Sequence, residues 1–136
     1  MEIRLATLDD LDSISKLDSF WTKKQLKEEL DNPSSSIFII ASTSNKDILA
    51  FIGIRLIDNI CDIMNIAVRE DCRNKGIGTN LLSYILNNIK CSSFNLEVSA
   101  NNIYAAKLYK KLGFNSIHVR KNYYEDSDAI IMQKTI

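Results

Sequence analysis

Apolar and polar positions along this chain recur in two rhythms, and each change of rhythm marks an element. Ile3 to Ala6 reads as a short strand, and Thr7 stands where a helix cap belongs, ahead of Leu8, Leu11, Ile14, Ser15 and Leu17 on or near one face. Phe20-Trp21 interrupts; Thr22 then opens a second helix with Leu26 and Leu30 one turn apart, closed by Asp31-Asn32-Pro33. Apolar, β-branched runs follow at 36–43, 48–57 and 60–68. Ser44-Asn45-Lys46-Asp47 and Asp58-Asn59 are turn formers between them, so an antiparallel meander is expected. From Gly76 to Lys90 the period is helical, with Ile77, Leu81, Ile85 and Ile89 in one stripe.

In residues 93–99, Phe94, Leu96 and Val98 alternate with Asn95, Glu97 and Ser99, the pattern of a half-buried strand. A helix joins it to the strand at 60–68, which makes the two parallel. Asn101 or Asn102 caps a further helix striped by Ala105, Leu108, Tyr109 and Leu112, and Gly113 stands where a left-handed stop is needed. Strands at 114–120 and 128–133 end the chain, with 121–127 expected as the loop between them. The order β-α-α-β-β-β-α-β-α-β-β predicts one α/β (α+β) domain over residues 1–136, a mixed sheet of about seven strands with helices on both faces. Parallel strands diverging around a helix start leave a cleft at their ends, where function should sit.

Composition narrows the classes. At 136 residues, with 46% hydrophobic and 25% charged, the chain can bury one continuous core without staples. Lys+Arg and Asp+Glu balance at 17 each, which argues against nucleic acid or a membrane as direct partner. No apolar run reaches the length of a membrane span, and the chain opens on Glu2-Ile3-Arg4-Leu5 instead of a leader, so a cytoplasmic location is expected. Cys61, Cys72 and Cys91 are odd in number and form no Cys-x-x-Cys pair, the usage of free thiols; with a single histidine, no metal site is expected.

The chemistry concentrates at residues 66–82. Ile66-Ala67-Val68 ends a strand, a charged loop follows, and Gly76 and Gly78 fall where loop becomes helix. There the backbone can turn sharply and nothing shields the first amides, so those N–H groups, the helix dipole, Arg73 and Lys75 make an anion site sized for phosphate. The plain alternative is a basic surface turn with two ordinary glycines. Phe20 and Trp21 either form the lip of a cleft or cap the core from outside. His118, between Ile117 and Val119, reads as an exposed strand residue.

Arg73-Asn74-Lys75-Gly76-Ile77-Gly78 fits the Arg/Gln-x-x-Gly-x-Gly/Ala pyrophosphate loop of the GNAT superfamily of acetyl-CoA-dependent N-acetyltransferases, and the chain resembles that family in element order from end to end. Four further stretches resemble its RimI type: Asn65-Ile66-Ala67-Val68; Leu96-Glu97-Val98; Asn102 to Phe114; and Arg120-Lys121-Asn122-Tyr123-Tyr124 followed by Asp128-Ala129. That type acetylates the N-terminal alanine of the eighteenth small-subunit ribosomal protein.

The resemblance implies Glu97 as general base and Tyr109 as general acid. It assigns the backbone from Arg73 through Asn74, Lys75, Gly76, Ile77, Gly78 and Thr79 to the CoA diphosphate, and Ile66, Ala67 and Val68 to the pantetheine arm and thioester carbonyl, with Asn102 and Tyr109 also facing CoA. Phe20, Trp21, Tyr123 and Tyr124 would touch the acceptor. That acceptor is expected to be a protein or peptide N-terminus, foremost of a ribosomal protein, and the enzyme a monomer or weak dimer. Two departures stand out: Ser99 follows Glu97-Val98 where the family usually has arginine, and no proline separates Phe20 from Trp21.

The residue types suit the reaction. An α-amino group with a pKa of about 8 is roughly a tenth free base at pH 7, and a lysine far less, so a terminal amine asks little of a single carboxylate. Glu97 lies on the polar side of its strand; otherwise it is a solvated carboxylate. The leaving thiol, with a pKa of about 8.5, is more acidic than a tyrosine at about 10, so a phenol can assist by hydrogen bonding as charge grows on sulfur. Tyr109 also lies in the helix stripe and otherwise reads as a core tyrosine. The backbone at Val68 is the expected donor to the thioester oxygen. A covalent route through Cys72 is the rival to direct attack, with filler of the loop as its plain alternative. Tyr123 and Tyr124 either clamp a peptide backbone or are ordinary loop aromatics. A lysine, polyamine or other small amine is the alternative acceptor, and a CoA-binding partner module without turnover the alternative class.

Overall fold

The structure is a computed structural model describing residues 1–17 and 21–136. Its elements are β1 (Glu2–Leu5), a 3-10 turn (Leu8–Asp10), α1 (Leu11–Ser15), α2 (Lys23–Asp31), β2 (Ser35–Ala41), β3 (Ile48–Ile57), β4 (Ile60–Val68), a second 3-10 turn (Glu70–Cys72), α3 (Ile77–Asn88), β5 (Ser93–Ser99), α4 (Ile103–Lys111), β6 (Asn115–Tyr124) and β7 (Ser127–Thr135). The strands form one mixed seven-stranded sheet in the order β1-β2-β3-β4-β5-β7-β6. The element order is the one expected from the hydrophobic pattern, and β4 and β5 are parallel, registered from Ile60 opposite Ser93 to Asp62 opposite Asn95.

The chain gathers into two compact units, Met1–Arg55 with Met64–Ile89, and Leu56–Ile63 with Lys90–Ile136. In the first, Ile14, Leu26, Ile37, Ile39, Ala41, Ile48 and Phe51 make a buried cluster, with Trp21 and Ala67 packed against it. β3 is buried over seven successive residues from Ile48, as in a strand covered on both faces. The first helix is shorter than its apolar spacing suggests: it starts as a 3-10 turn, reaches only Ser15 and leaves Leu8 exposed. Asp10 explains the start. Its carboxylate accepts the Thr7 N–H at 2.8 Å and a two-pronged donation from the Arg4 guanidinium at 2.8 and 2.9 Å, tying the turn to β1. α2 is capped by Thr22, whose hydroxyl accepts the Gln25 N–H at 3.1 Å.

In the second unit Phe94, Leu96 and Val98 are buried and Glu97 is exposed, the expected alternation. The last hairpin corrects the expectation of a loop at 121–127. β6 continues through Tyr124, which stands opposite Ser127, leaving a tight two-residue turn at Glu125-Asp126. Two adjacent tyrosines favour strand, and the irregularity between Arg120 and Tyr124 is absorbed by Asn122 at φ 52°, its N–H held by the Asp128 carboxylate at 2.8 Å. Tyr123 and Tyr124 are therefore strand residues. Among the described residues the three cysteines are free, and no helix is long and apolar enough to cross a membrane.

Candidate active site

One candidate cluster belongs to the first unit and is made of backbone. Between β4 and α3 the chain forms the Glu70–Cys72 turn, passes Arg73 in extended conformation, and enters left-handed conformation twice, at Asn74 (φ 63°) and Gly76 (φ 77°). Gly76 is the N-cap of α3; a Cβ built on it meets nothing within 4 Å. Gly78 has the opposite reason to be glycine: a Cβ there would lie 3.1 Å from a Val68 methyl, tighter than ordinary contact, so a side chain would press α3 against β4. Among the described residues the amides of Asn74 through Thr79 find no protein acceptor, and the first intrahelical bond is Asn80 N–H to Gly76 O at 2.9 Å. Six consecutive unfilled donors, at the positive end of a 12-residue helix and with Arg73 and Lys75 exposed, fit a diphosphate. Arg73 is anchored by donating Nε–H to Val68 O at 3.2 Å. Ile66, Ala67 and Val68 are half-buried at the end of β4, and Arg69 N–H is bonded to Leu49 O at 2.8 Å.

A separate cluster lies in the second unit and is made of side chains. Glu97 projects from β5, opposite Ile131 of β7. Arg120 of β6 brings Nη1 to 3.8 Å from Glu97 Oε1. Tyr124 of β6 lies near Glu97; burial first, and then the Glu97 charge, hold its phenol above the ordinary tyrosine range. Tyr123 meets Tyr124 edge to face at 5.2 Å, and the Arg120 guanidinium lies 5.3 Å from the Tyr123 ring centroid. Where the resemblance places an arginine, Ser99 instead bonds Ser127 across the hairpin, Oγ to Oγ at 2.7 Å.

Tyr109 is fixed by the end of its own helix. Phe114 N–H bonds Tyr109 O at 3.0 Å and Gly113 N–H bonds Lys110 O at 3.1 Å, with Gly113 left-handed at φ 102°, which is a Schellman closure. The Tyr109 and Phe114 rings pack 6.1 Å apart as that closure brings them together. Lys134 donates Nζ–H to Leu112 O at 3.0 Å and stabilises the same helix end. The Tyr109 hydroxyl makes no hydrogen bond among the described residues, and burial pushes its pKa up.

Some of the expected contact residues also have partners within their own unit. Asn102 caps α4, its Oδ1 accepting Ala105 N–H at 3.1 Å. Trp21 stacks on Phe51 at 6.4 Å and its ring edge lies against Gly53, so it covers the core of its unit. Phe20 lies outside the described residues. Cys72 is buried, the setting of a filler; Cys61, sealed in β4, has its thiol pushed up to about 12 by burial. The residue that sequence reasoning passed over is Arg120. It was visible only as the first letter of a motif, and nothing in the sequence placed it beside Glu97.

The family model described as Acetyltransferase (GNAT) family matches residues 5–114. A Bacillus subtilis protein, provisionally named a ribosomal protein bS18-alanine N-acetyltransferase, is 31% identical over 145 residues, covering 98% of this chain and 95% of that one. The Escherichia coli ribosomal protein bS18-alanine N-acetyltransferase is 35% identical over 97 residues, 66% of each chain. The crystal structure of the Escherichia coli ribosomal-protein-S18-alanine N-acetyltransferase superposes with a TM-score of 0.90 at 28% identity, covering 99% of this chain and 93% of that one. The same fold recurs, at a TM-score of 0.79 and 22% identity, in a GNAT family acetyltransferase from Elizabethkingia anophelis with acetyl-CoA bound, covering 99% of this chain and 97% of that one.

Proposed function

Because this chain belongs to the GNAT acetyltransferase family, we propose that it moves the acetyl group of acetyl-CoA to the N-terminal amine of a protein, foremost the alanine end of a ribosomal protein. The observation that carries this reading is the run of unfilled amides from Asn74 to Thr79 around the open, left-handed Gly76. It fits a diphosphate and leaves binding of the donor to the backbone. Acetyl-CoA, when bound, supplies an acyl group already activated as a thioester.

The chain's own groups do the rest. Glu97 accepts the proton that the amine sheds as it attacks, directly or through a water, and its position on the exposed side of β5 leaves it open to an acceptor. Tyr109 holds its proton firmly, since burial raises the phenol pKa; that makes full donation to a departing thiolate more uphill and favours a hydrogen bond from the hydroxyl. Val68 backbone supports the thioester oxygen, and Tyr123 with Tyr124 flanks the acceptor's first residues. Direct attack needs no enzyme nucleophile, which suits a buried Cys72.

Thiol release from acetyl-CoA in the presence of a peptide beginning with alanine tests the reading. Release above the no-enzyme rate is expected, falling about 100-fold in Glu97→Gln. No release, or full activity in Glu97→Gln, defeats it. Equal rates on peptides that differ after the first residue, or on a polyamine, would move the acceptor to the small amines.

A further inference from the structure

Glu97 and Arg120 are not neighbours in the sheet, because β7 runs between their strands. Ile131 stands opposite Glu97, while Ala129 stands opposite both Ser99 and Arg120, so Ser99, Ala129 and Arg120 form one row across three strands. Ala129 is small and fully buried. A long side chain can therefore cross that row, and Arg120 does, ending 3.8 Å from the Glu97 carboxylate. Tyr123 supports the guanidinium from its ring face, Tyr124 meets Tyr123 edge-on, and Tyr124 lies close enough to Glu97 to feel its charge. Four side chains close a ring.

The character of the ion pair matters more than its existence. At 3.8 Å it lies beyond hydrogen-bond distance, and its partners keep 52% and 30% of their side-chain surface exposed. Such a pair orients without locking. A bidentate buried pair would compete with an arriving amine, whereas a carboxylate with no cation nearby would be free to turn away. Among the described residues, Arg120 is the cation within ion-pair distance of Glu97.

We propose that Arg120 is a positioning residue for acyl transfer: carried on the Tyr123 ring, it holds the Glu97 carboxylate toward the β6–β7 hairpin and yields it to the acceptor's ammonium. The proposal rests on Glu97 being the base. Its signature is a loss in kcat without a rise in the peptide KM, since Arg120 arranges the base and does not bind the acceptor.

Arg120→Gln and Arg120→Lys, assayed at saturating acetyl-CoA with a peptide beginning with alanine, test it. Arg120→Gln should lower kcat about 5- to 10-fold, leave peptide KM level or lower, and shift the melting temperature by no more than about 2 °C, as for an exposed side chain. Arg120→Lys should return kcat to within about threefold, because a cation is restored without the planar fork. The carboxyl-carbon NMR resonance of Glu97 should move in Arg120→Gln and much less in Arg120→Lys. A kcat within twofold of the parent in Arg120→Gln, a lysine variant no better than the glutamine one, or a loss confined to peptide KM overturns the role. An inactive Glu97→Gln with an unmoved resonance in Arg120→Gln overturns the role of Arg120 alone. An active Glu97→Gln overturns the base assignment whatever the resonance does.

Discussion

The loop entering α3 and the ring around Glu97 are built by opposite means. The loop works with amides that every residue possesses, so its chemistry depends on what is missing: no side chain at Gly76, none at Gly78, and, among the described residues, no acceptor for six N–H groups. The ring works with particular end groups, a carboxylate, a guanidinium and two phenols, brought together by strand register from β5 and β6. A site made by leaving atoms out is damaged by adding them. A site made of end groups is damaged by trimming one.

The largest effect expected from perturbing either region comes from a trimmed group. Tyr109→Phe removes one oxygen and keeps the ring that packs on Phe114, so the Schellman closure and the fold should survive. Because the phenol holds its proton tightly, what is lost is a hydrogen bond to developing negative charge, and kcat should fall about 10- to 100-fold with CoA affinity unchanged. Steady-state kinetics beside calorimetry of CoA binding check this. An unaltered kcat would remove Tyr109 from the chemistry and leave it as packing.

Added atoms should do the corresponding damage to the loop. Asn at position 76 tolerates left-handed backbone, and its Cβ enters space that no protein atom occupies. Gly76→Asn is therefore expected to leave the melting temperature within a few degrees of the parent while weakening CoA binding about tenfold. Lys75→Ala, which only trims an exposed side chain, should cost a few-fold at most and less at high salt. If Lys75→Ala proves the worse of the two, side-chain charge and not backbone holds the diphosphate, and the contrast between the two regions fails.

The same contrast explains what the sequence made legible. Gly76 and Gly113 hold left-handed backbone that favours glycine, and Gly78 packs tightly on Val68, so loop, helix start and helix stop could be read from spacing, as could the alternation that leaves Glu97 exposed. The partnership of Arg120 with Glu97 could not. It depends on Ala129 being small and on which residues of β6, β7 and β5 stand in register, and a two-residue difference in where β6 ends would change the set. The hairpin departs from its sequence pattern for a related reason. Lys121-Asn122 looks like a turn, but Asn122 spends its left-handed conformation on an irregularity inside the strand, held by Asp128, and β6 runs on to Tyr124. Asn102 and Trp21 have partners that residue type alone does not reveal, a helix cap for the one and the Phe51 ring for the other.

The smallest expected effect separates the regions by acid. In the first unit Asp10 takes a two-pronged hydrogen bond from Arg4 and the Thr7 amide, and the Arg4 hydrogen bond, the largest influence, draws its pKa below the ordinary carboxylate value despite partial burial. A carboxylate depressed on folding adds stability that is complete above its unfolded pKa of about 3.9 and is lost as pH falls through the lower folded value. In the hairpin Asp128, half-buried, is depressed too, chiefly by the Asn122 N–H, but it anchors only a local irregularity. Asp10→Asn should thus lower stability by about 1–2 kcal/mol at neutral pH and flatten the dependence of stability on pH below about 4, while Asp128→Asn should leave global stability nearly level and speed amide exchange at Asn122. Denaturant unfolding from pH 3 to 7, read beside hydrogen exchange, measures both. Parallel acid losses in the two variants would mean that Asp128 ties down more than the hairpin, and that the ring around Glu97 is held as firmly as the turn that Asp10 closes.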